Sequence, residues 1–177
     1  MTVVLVHGNP ETDAVWSPLV AVLSRTDVVR LSPPGWGAPV PAGWGATVEE
    51  YRRWLVGELE AIGEPVDLVG HDWGGGHAVN VAATRPDLLR SWVSDLLGCF
   101  DPEYEWHSLA QGWQTPGTGE EMVAAMVADP SSRVADMASR GLDPAVGEEM
   151  ARGYDEAMAA CILGLYRDAA QPAMARL

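Results

Sequence analysis

The chain is short of positive charge, of cysteine and of phenylalanine. Eleven Lys and Arg stand against 25 Asp and Glu, a formal net charge of −14. Nucleic acids and anionic membrane surfaces are gripped through clustered Lys and Arg, so neither is expected as a partner. The acidic residues are spread along the chain rather than gathered in a tail, which reads as a solvated surface. Cysteine occurs at Cys99 and Cys161, far apart and in no metal-ligand spacing. Two reduced, buried thiols of a cytoplasmic protein are the expectation, with no metal site. Long apolar runs are missing, and the chain opens on Val3–Val6 with no basic segment before it. Neither a signal peptide nor a membrane span is therefore expected. One Phe is set against eight Trp. That excess points to an aromatic-walled pocket if several of the tryptophans converge.

What is present is a chain of 177 residues, 47% hydrophobic and 20% charged, enough for one domain with a real core. Val3–Val6 reads as a buried strand followed by the loop His7-Gly8-Asn9-Pro10. Residues 15–24 read as a helix with Trp16, Leu19, Val20 and Leu23 on one face. Val28–Leu31 is a second buried strand, running into the Pro/Gly-rich loop that holds Gly35-Trp36-Gly37. Thr47 and Glu50 form a capping box ahead of Val48, Tyr51, Leu55, Leu59 and Ile62 at helical spacing. Residues 66–69 form a third strand, 75–85 a helix closed by Pro86, and 91–97 a fourth, mostly apolar strand. Strands alternating with helices predict a parallel sheet with right-handed crossovers. Such sheets bind ligands beyond their carboxyl edge, where Asn9, Asp72 and Asp95 would all lie.

After Gly98 the pattern becomes helical. Residues 118–128, 131–140, 144–152 and 154–170 read as helices, with Thr118 and Glu121 as a capping box, Gly141 as a stop and Asp143-Pro144 as a start. The expected organisation is an α/β core over residues 1–98 and a helical lid over 99–177.

Gly70-His71-Asp72-Trp73-Gly74 lies between the third strand and a Gly-rich helix start. This is the strand–turn–helix setting of a nucleophile elbow, with aspartate where most such elbows carry serine. A carboxylate suits displacement at saturated carbon, leaving an alkyl ester on the enzyme. As a bland alternative, Asp72 is simply the helix N-cap. Asp95 interrupts an apolar run, where a carboxylate is rare unless paired. Tyr166 shares a helical stripe with Met158 and Ile162, which fits a packed core residue.

Three segments taken in order, His7-Gly8-Asn9-Pro10, Gly35-Trp36-Gly37 and Gly70-His71-Asp72-Trp73-Gly74-Gly75, resemble the α/β-hydrolase superfamily. Within it they resemble the haloalkane dehalogenases and epoxide hydrolases that use an aspartate nucleophile. The likeness runs from Val3 to about Leu97 and loosely through the helical block. It implies an incomplete α/β-hydrolase core with a lid, acting on a small apolar organic substrate without metal or organic cofactor. It also implies Asp72 as nucleophile, with the backbone N–H groups of Asn9 and Trp73 as an oxyanion hole. The side chains of Asn9 and Trp73 would donate to a departing halide. Asp95 would be the acid that orients a catalytic histidine, and Tyr166 a lid general acid toward an epoxide oxygen. For each there is a plainer role: Asn9 as a turn residue before proline, Asp95 as a cap or salt-bridged loop residue, Tyr166 as core.

In the family the resemblance points to, the histidine base follows the last strand, beyond the lid, whereas this sequence ends at Leu177. The expectation is either a fragment or a shortened relative with impaired turnover. Of the histidines present, His7 belongs to the oxyanion loop, His71 to the variable elbow position, and His77 to a helix running away from Asp72. His107 is the one in-chain substitute. Dehalogenation leads because of Asn9 and Asp95, epoxide hydrolysis follows because of Tyr166, and a non-catalytic ligand-binding relative is the rival from another class. The oligomeric state is not legible.

Overall fold

The computed structural model describes residues 1–139 and 141–176. Four strands, β1 (Val3–Val6), β2 (Val28–Leu31), β3 (Val66–Gly70) and β4 (Leu89–Ser94), form one parallel sheet in the order β2-β1-β3-β4. The register pairs Val6 with Leu31 and Gly70, and Gly70 with Ser94, so the strands end together. The residues that follow, His7, His71 and Asp95, consequently meet at one carboxyl edge.

Three helices attend the strands: α1 (Ser17–Val22), α2 (Val48–Ile62) and α3 (Trp73–Thr84). Alternate side chains Val4 and Val6 of β1 and Val66 and Leu68 of β3 bury against Leu55 and Leu59 of α2 and Ala78 and Val81 of α3. This period-2 face meeting a helical stripe is the inner core. Helix α2 starts as its sequence predicts. Thr47 accepts from the Glu50 N–H at 3.2 Å, and Glu50 accepts from the Thr47 N–H at 3.0 Å.

The remaining helices are α4 (Ser108–Gln114), α5 (Thr118–Ala128), α6 (Pro130–Ser139), α7 (Pro144–Ala151) and α8 (Glu156–Asp168). Helices α4 and α5 pack on α8, α6 packs on α7, and α7 meets the turn Asp13–Trp16. A second core joins both halves of the chain through aromatic rings, among them Trp36, Tyr51, Trp73, Trp106, Trp113 and Tyr166. Cys99 and Cys161 are free and buried in it. Among the described residues no helix is long and apolar enough to cross a membrane.

Several local expectations are corrected. Residues 15–24 do not form one helix: a 3-10 turn over Asp13–Trp16 precedes α1, whose residues are none of them buried. Pro18 explains the break, since it suits the first turn of a new helix and not the interior of an old one. The fourth strand spans Leu89–Ser94 instead of 91–97, because the Ser94 hydroxyl bonds both the N–H and the carbonyl of Leu96 at 3.0 Å and bends the chain out of the sheet. This strand is largely exposed, because it is the sheet edge. Helix α5 is capped by Glu120 accepting from the Gly117 N–H at 2.8 Å, not by Thr118 and Glu121. Helix α4 is absent from the expected set, and α8 begins two residues late because the Asp155 side chain caps it at Met158 N–H. The expected helix over 131–140 is found as Pro130–Ser139, with Arg140 outside the described residues.

Candidate active site

Asp72 sits on the sharp turn between β3 and α3 with φ +50° and ψ −124°. A residue with a Cβ holds such a backbone at a cost of about 1–3 kcal/mol, so the surroundings must impose it. Glycines do so by allowing close approach. A Cβ on Gly70 would fall 2.3 Å from the Gly74 carbonyl oxygen, and one on Gly74 would fall 2.2 Å from that of Val6. Strand, turn and helix are thereby pressed together until the Asp72 side chain stands over the sheet edge. Its carboxylate makes no N-cap bond, which removes the plain capping role.

The Asn9 N–H donates to Asp72 Oδ1 at 3.0 Å, and the Trp73 N–H also acts on the carboxylate. Burial pushes the Asp72 carboxyl above its ordinary range, while these two N–H groups and the nearby His71 charge pull it back down. Gly8 permits the approach of the Asn9 loop, since a Cβ there would meet the Asp72 Cβ at 2.4 Å. Beyond Asp72 lies a cavity of about 410 Å³ lined by Asn9, Asp72, His107, Ser108, Arg133 and Tyr166 together with Leu109 and Trp113. Asn9 is 7% exposed, and neither its side-chain amide nitrogen nor its oxygen has a hydrogen-bond partner.

Tyr166 is buried in the aromatic core and also lines the cavity. Its ring meets Trp73 edge-on at 5.5 Å and Trp106 at 5.5 Å, and Trp113 lies 4.8 Å away. The convergence that the tryptophan excess pointed to is present here. Burial, followed by the Asp72 charge, raises the Tyr166 hydroxyl, which keeps it a proton donor.

Asp95 lies one residue past β4, and it does meet a histidine. Its Oδ2 is 2.5 Å from His71 Nδ1, and its Oδ1 accepts from the Asp72 N–H at 2.8 Å. His71 Nε2 stands 3.3 Å from Glu11, which also accepts from the Gly8 N–H at 2.9 Å. Held first by Glu11 and then by Asp95, His71 is raised to about 9 and is an imidazolium at neutral pH. A charged imidazole has no lone pair with which to take a proton. The β3–β4 register, which sets Gly70 beside Ser94, was the available signal for this pairing.

The other histidines divide sharply. His77 is buried, stacked on Tyr51 at 5.0 Å, and lowered to about 3 by burial. His7 is buried and lowered for the same reason, with Nδ1 against the Gly8 carbonyl at 2.9 Å. His107 accepts from the Ala110 N–H at 3.2 Å as the cap of α4 and also faces the cavity. Among the described residues it is the histidine that shares the cavity with Asp72. No group of three His, Cys, Asp or Glu among the described residues could hold a metal. Ser108 and Arg133 carried no sequence signal, because their place in the cavity depends on how the helical half folds back.

Residues 3–177 match the sequence profile described as the alpha/beta hydrolase family. The chain belongs to the alpha/beta hydrolase family. It is 29% identical over 133 residues to a haloalkane dehalogenase from Mesorhizobium japonicum, covering 69% of this chain and 42% of that one. It is 32% identical over 95 residues to an epoxide hydrolase from Caballeronia sordidicola, covering 50% and 29%. A solved structure of a candidate epoxide hydrolase variant from Pseudomonas aeruginosa superposes with a TM-score of 0.79 at 21% identity, over 99% of this chain and 64% of that one. This alpha/beta hydrolase chain thus spans less than half the length of those two curated relatives and under two thirds of the solved one.

Proposed function

We propose that this chain carries the attacking half of an alpha/beta hydrolase that forms an alkyl ester on Asp72. In this reading residues 1–98 form the core and 99–177 the lid that walls the cavity. An Asp72 oxygen attacks a saturated carbon of a small organic substrate, and the carbon–halogen bond breaks with its electron pair leaving on the halide. The observation that carries the reading is the Asn9 carboxamide, buried, unpartnered and lining the same cavity as Asp72. A neutral N–H donor there can receive developing negative charge without neutralising the nucleophile. Trp73, the other anticipated halide donor, is buried in the aromatic core, edge-on to the cavity-lining Tyr166. When water later attacks the ester carbonyl, the developing oxyanion would be the Asp72 oxygen already facing the Asn9 and Trp73 N–H groups.

Tyr166 supports a second reading, ring opening of an epoxide. Its hydroxyl is kept protonated by burial and lines the cavity, so it could donate to the epoxide oxygen as Asp72 attacks. Asp95 is proposed as a positioning acid for the elbow, since it holds the Asp72 N–H.

The chemistry is tested by intact mass and adduct mapping after incubation with a bromoalkane and with styrene oxide. We expect a gain of the alkyl group at Asp72, absent in Asp72→Asn, and faster with the bromoalkane. Folded protein left unmodified by both probes would favour a ligand-binding relative. Continued halide release over many turnovers would show a base in the chain, and its loss in His107→Ala would identify it.

A further inference from the structure

The Asn9 carboxamide lines the Asp72 cavity with no hydrogen-bond partner, so its direction is set by packing and by the backbone of Asn9 and Pro10. Toward the core that backbone is held where the Asn9 N–H meets Asp72 Oδ1. A second tether comes from the helical half. The hydroxyl of Tyr154, in the link between α7 and α8, donates to the Pro10 carbonyl at 3.1 Å. Both residues are buried, Tyr154 with 6% of its surface exposed. The Met137 sulfur, 3.8 Å from the same hydroxyl, is the weaker acceptor. Arg133, on the cavity wall, acts on this hydroxyl by charge and by a side-chain hydrogen bond. The hydroxyl oxygen thus accepts from the guanidinium while its hydrogen goes to the loop. A hydroxyl polarised in this way is the stronger donor.

The seat around this bond is tight. A Cβ on Gly153 would fall 2.7 Å from Thr12 Cγ2, two residues past Pro10. Val146 and Met150 of α7 bury against Ala14. Removing the Tyr154 hydroxyl alone would leave these contacts and the ring in place. What goes is one of two fixed points of the Asn9–Pro10 backbone, and a buried carbonyl loses its donor.

We propose that Tyr154 is a positioning residue that ties the Asn9 loop to the lid, so that the Asn9 carboxamide faces the halide leaving as Asp72 attacks. The proposal rests on Asp72 as the nucleophile. In the step an Asp72 oxygen forms a C–O bond as the carbon–halogen bond breaks, and the halide leaves with the bonding pair toward Asn9. Tyr154 does not line the cavity and transfers no proton. Burial raises its hydroxyl to about 12, which keeps it a donor to Pro10.

The full chain is incubated with 1-chlorobutane or with 1-iodobutane, and the rate of butyl adduct formation at Asp72 is read by mass. Chloride, the smaller ion, gains more than iodide from a hydrogen-bond donor, so a misaimed Asn9 slows the chloride reaction more. We expect Tyr154→Phe to raise the iodide-to-chloride rate ratio by about fivefold or more, part of the hundredfold or more that a lost transition-state donor costs. Placed on Asn9→Ala, the same substitution should leave that variant's ratio unchanged, because the group through which it acts is gone. An unchanged ratio in Tyr154→Phe, even with both rates lowered, is what a merely structural role gives and would overturn the proposal. A further change of ratio on Asn9→Ala would overturn it as well. If neither probe labels Asp72 in the wild type, the nucleophile reading falls instead, and the tether is read by amide exchange. Tyr154→Phe should then speed exchange of the Asn9 N–H by about fivefold or more, the equilibrium factor of one net hydrogen bond, with amides of α3 unchanged. Equal Asn9 exchange in both proteins would overturn the tether too.

Discussion

His71 binds the elbow to the loop in front of it. Its two ring nitrogens reach Glu11, which holds the Gly8 N–H, and Asp95, which holds the Asp72 N–H. Both bonds are strongest with the ring charged. Because the folded-state value is raised from 6.5 to about 9, the stabilisation is present below 6.5 and is lost as pH rises through about 9. His71→Gln should therefore melt below wild type at pH 6, and the gap should close by about pH 10. With the ring 40% exposed the pairs are screened. A total near 1 kcal/mol, or about 2–4 °C, is the expected size. A gap that stays constant over that range, measured by circular dichroism melts, would mean that the charge does not matter. The residue types of the site were legible: Asp72, Asn9, Trp73 and Asp95 all gather at one sheet edge, as their positions after strands require. The partner of Asp95 was not foreseen, because pairing residue by residue across β3 and β4 needs the register as well as the strands.

At the scale of elements the elbow was the most legible part of the chain, and the reason is steric. A turn in which the Gly70, Gly74 and Val6 backbones nearly touch leaves few residue choices, so the chemistry is written into consecutive letters. Gly74→Ala tests this. The added Cβ would stand 2.2 Å from a strand carbonyl, with backbone and not a flexible side chain in the way. We expect a loss of about 3 kcal/mol or more, seen in denaturant unfolding, and no labelling at Asp72 in whatever folds. A loss below about 1 kcal/mol would show that the helix can slide away from β1 and that the packing account is mistaken. Elements without such constraint were read less well. The first helix was drawn too long because apolar spacing continues through Pro18, and α4 was missed because its seven residues hold too few apolar positions to show a period. The cavity's Arg133 belongs to the same class: α6 was foreseen, but its placement over Asp72 is a long-range packing result that no local pattern records.

At the scale of the whole molecule, the sheet formed by the described residues has β4 at one edge, and that edge is bare. Parallel sheets are ordinarily covered, yet here Trp92 is 43%, Val93 59% and Leu97 56% exposed. An edge strand offers unpaired N–H and C=O groups to any other strand, and apolar side chains beside them add a driving force for association. The net charge of −14 opposes encounters between copies, but that repulsion is screened beyond about 10 Å at 0.1 M salt. Self-association should therefore rise with added salt, measured by light scattering at constant protein concentration. Val93→Lys places a charge on the exposed strand where no core contact is lost. It should lower that scattering several-fold while leaving the melting temperature within about 2 °C, because exposed substitutions away from the core change stability by about 0.5 kcal/mol or less. Scattering that is salt-dependent but indifferent to Val93→Lys would move the sticky surface elsewhere, with exposed Val22 on α1 the next to be charged.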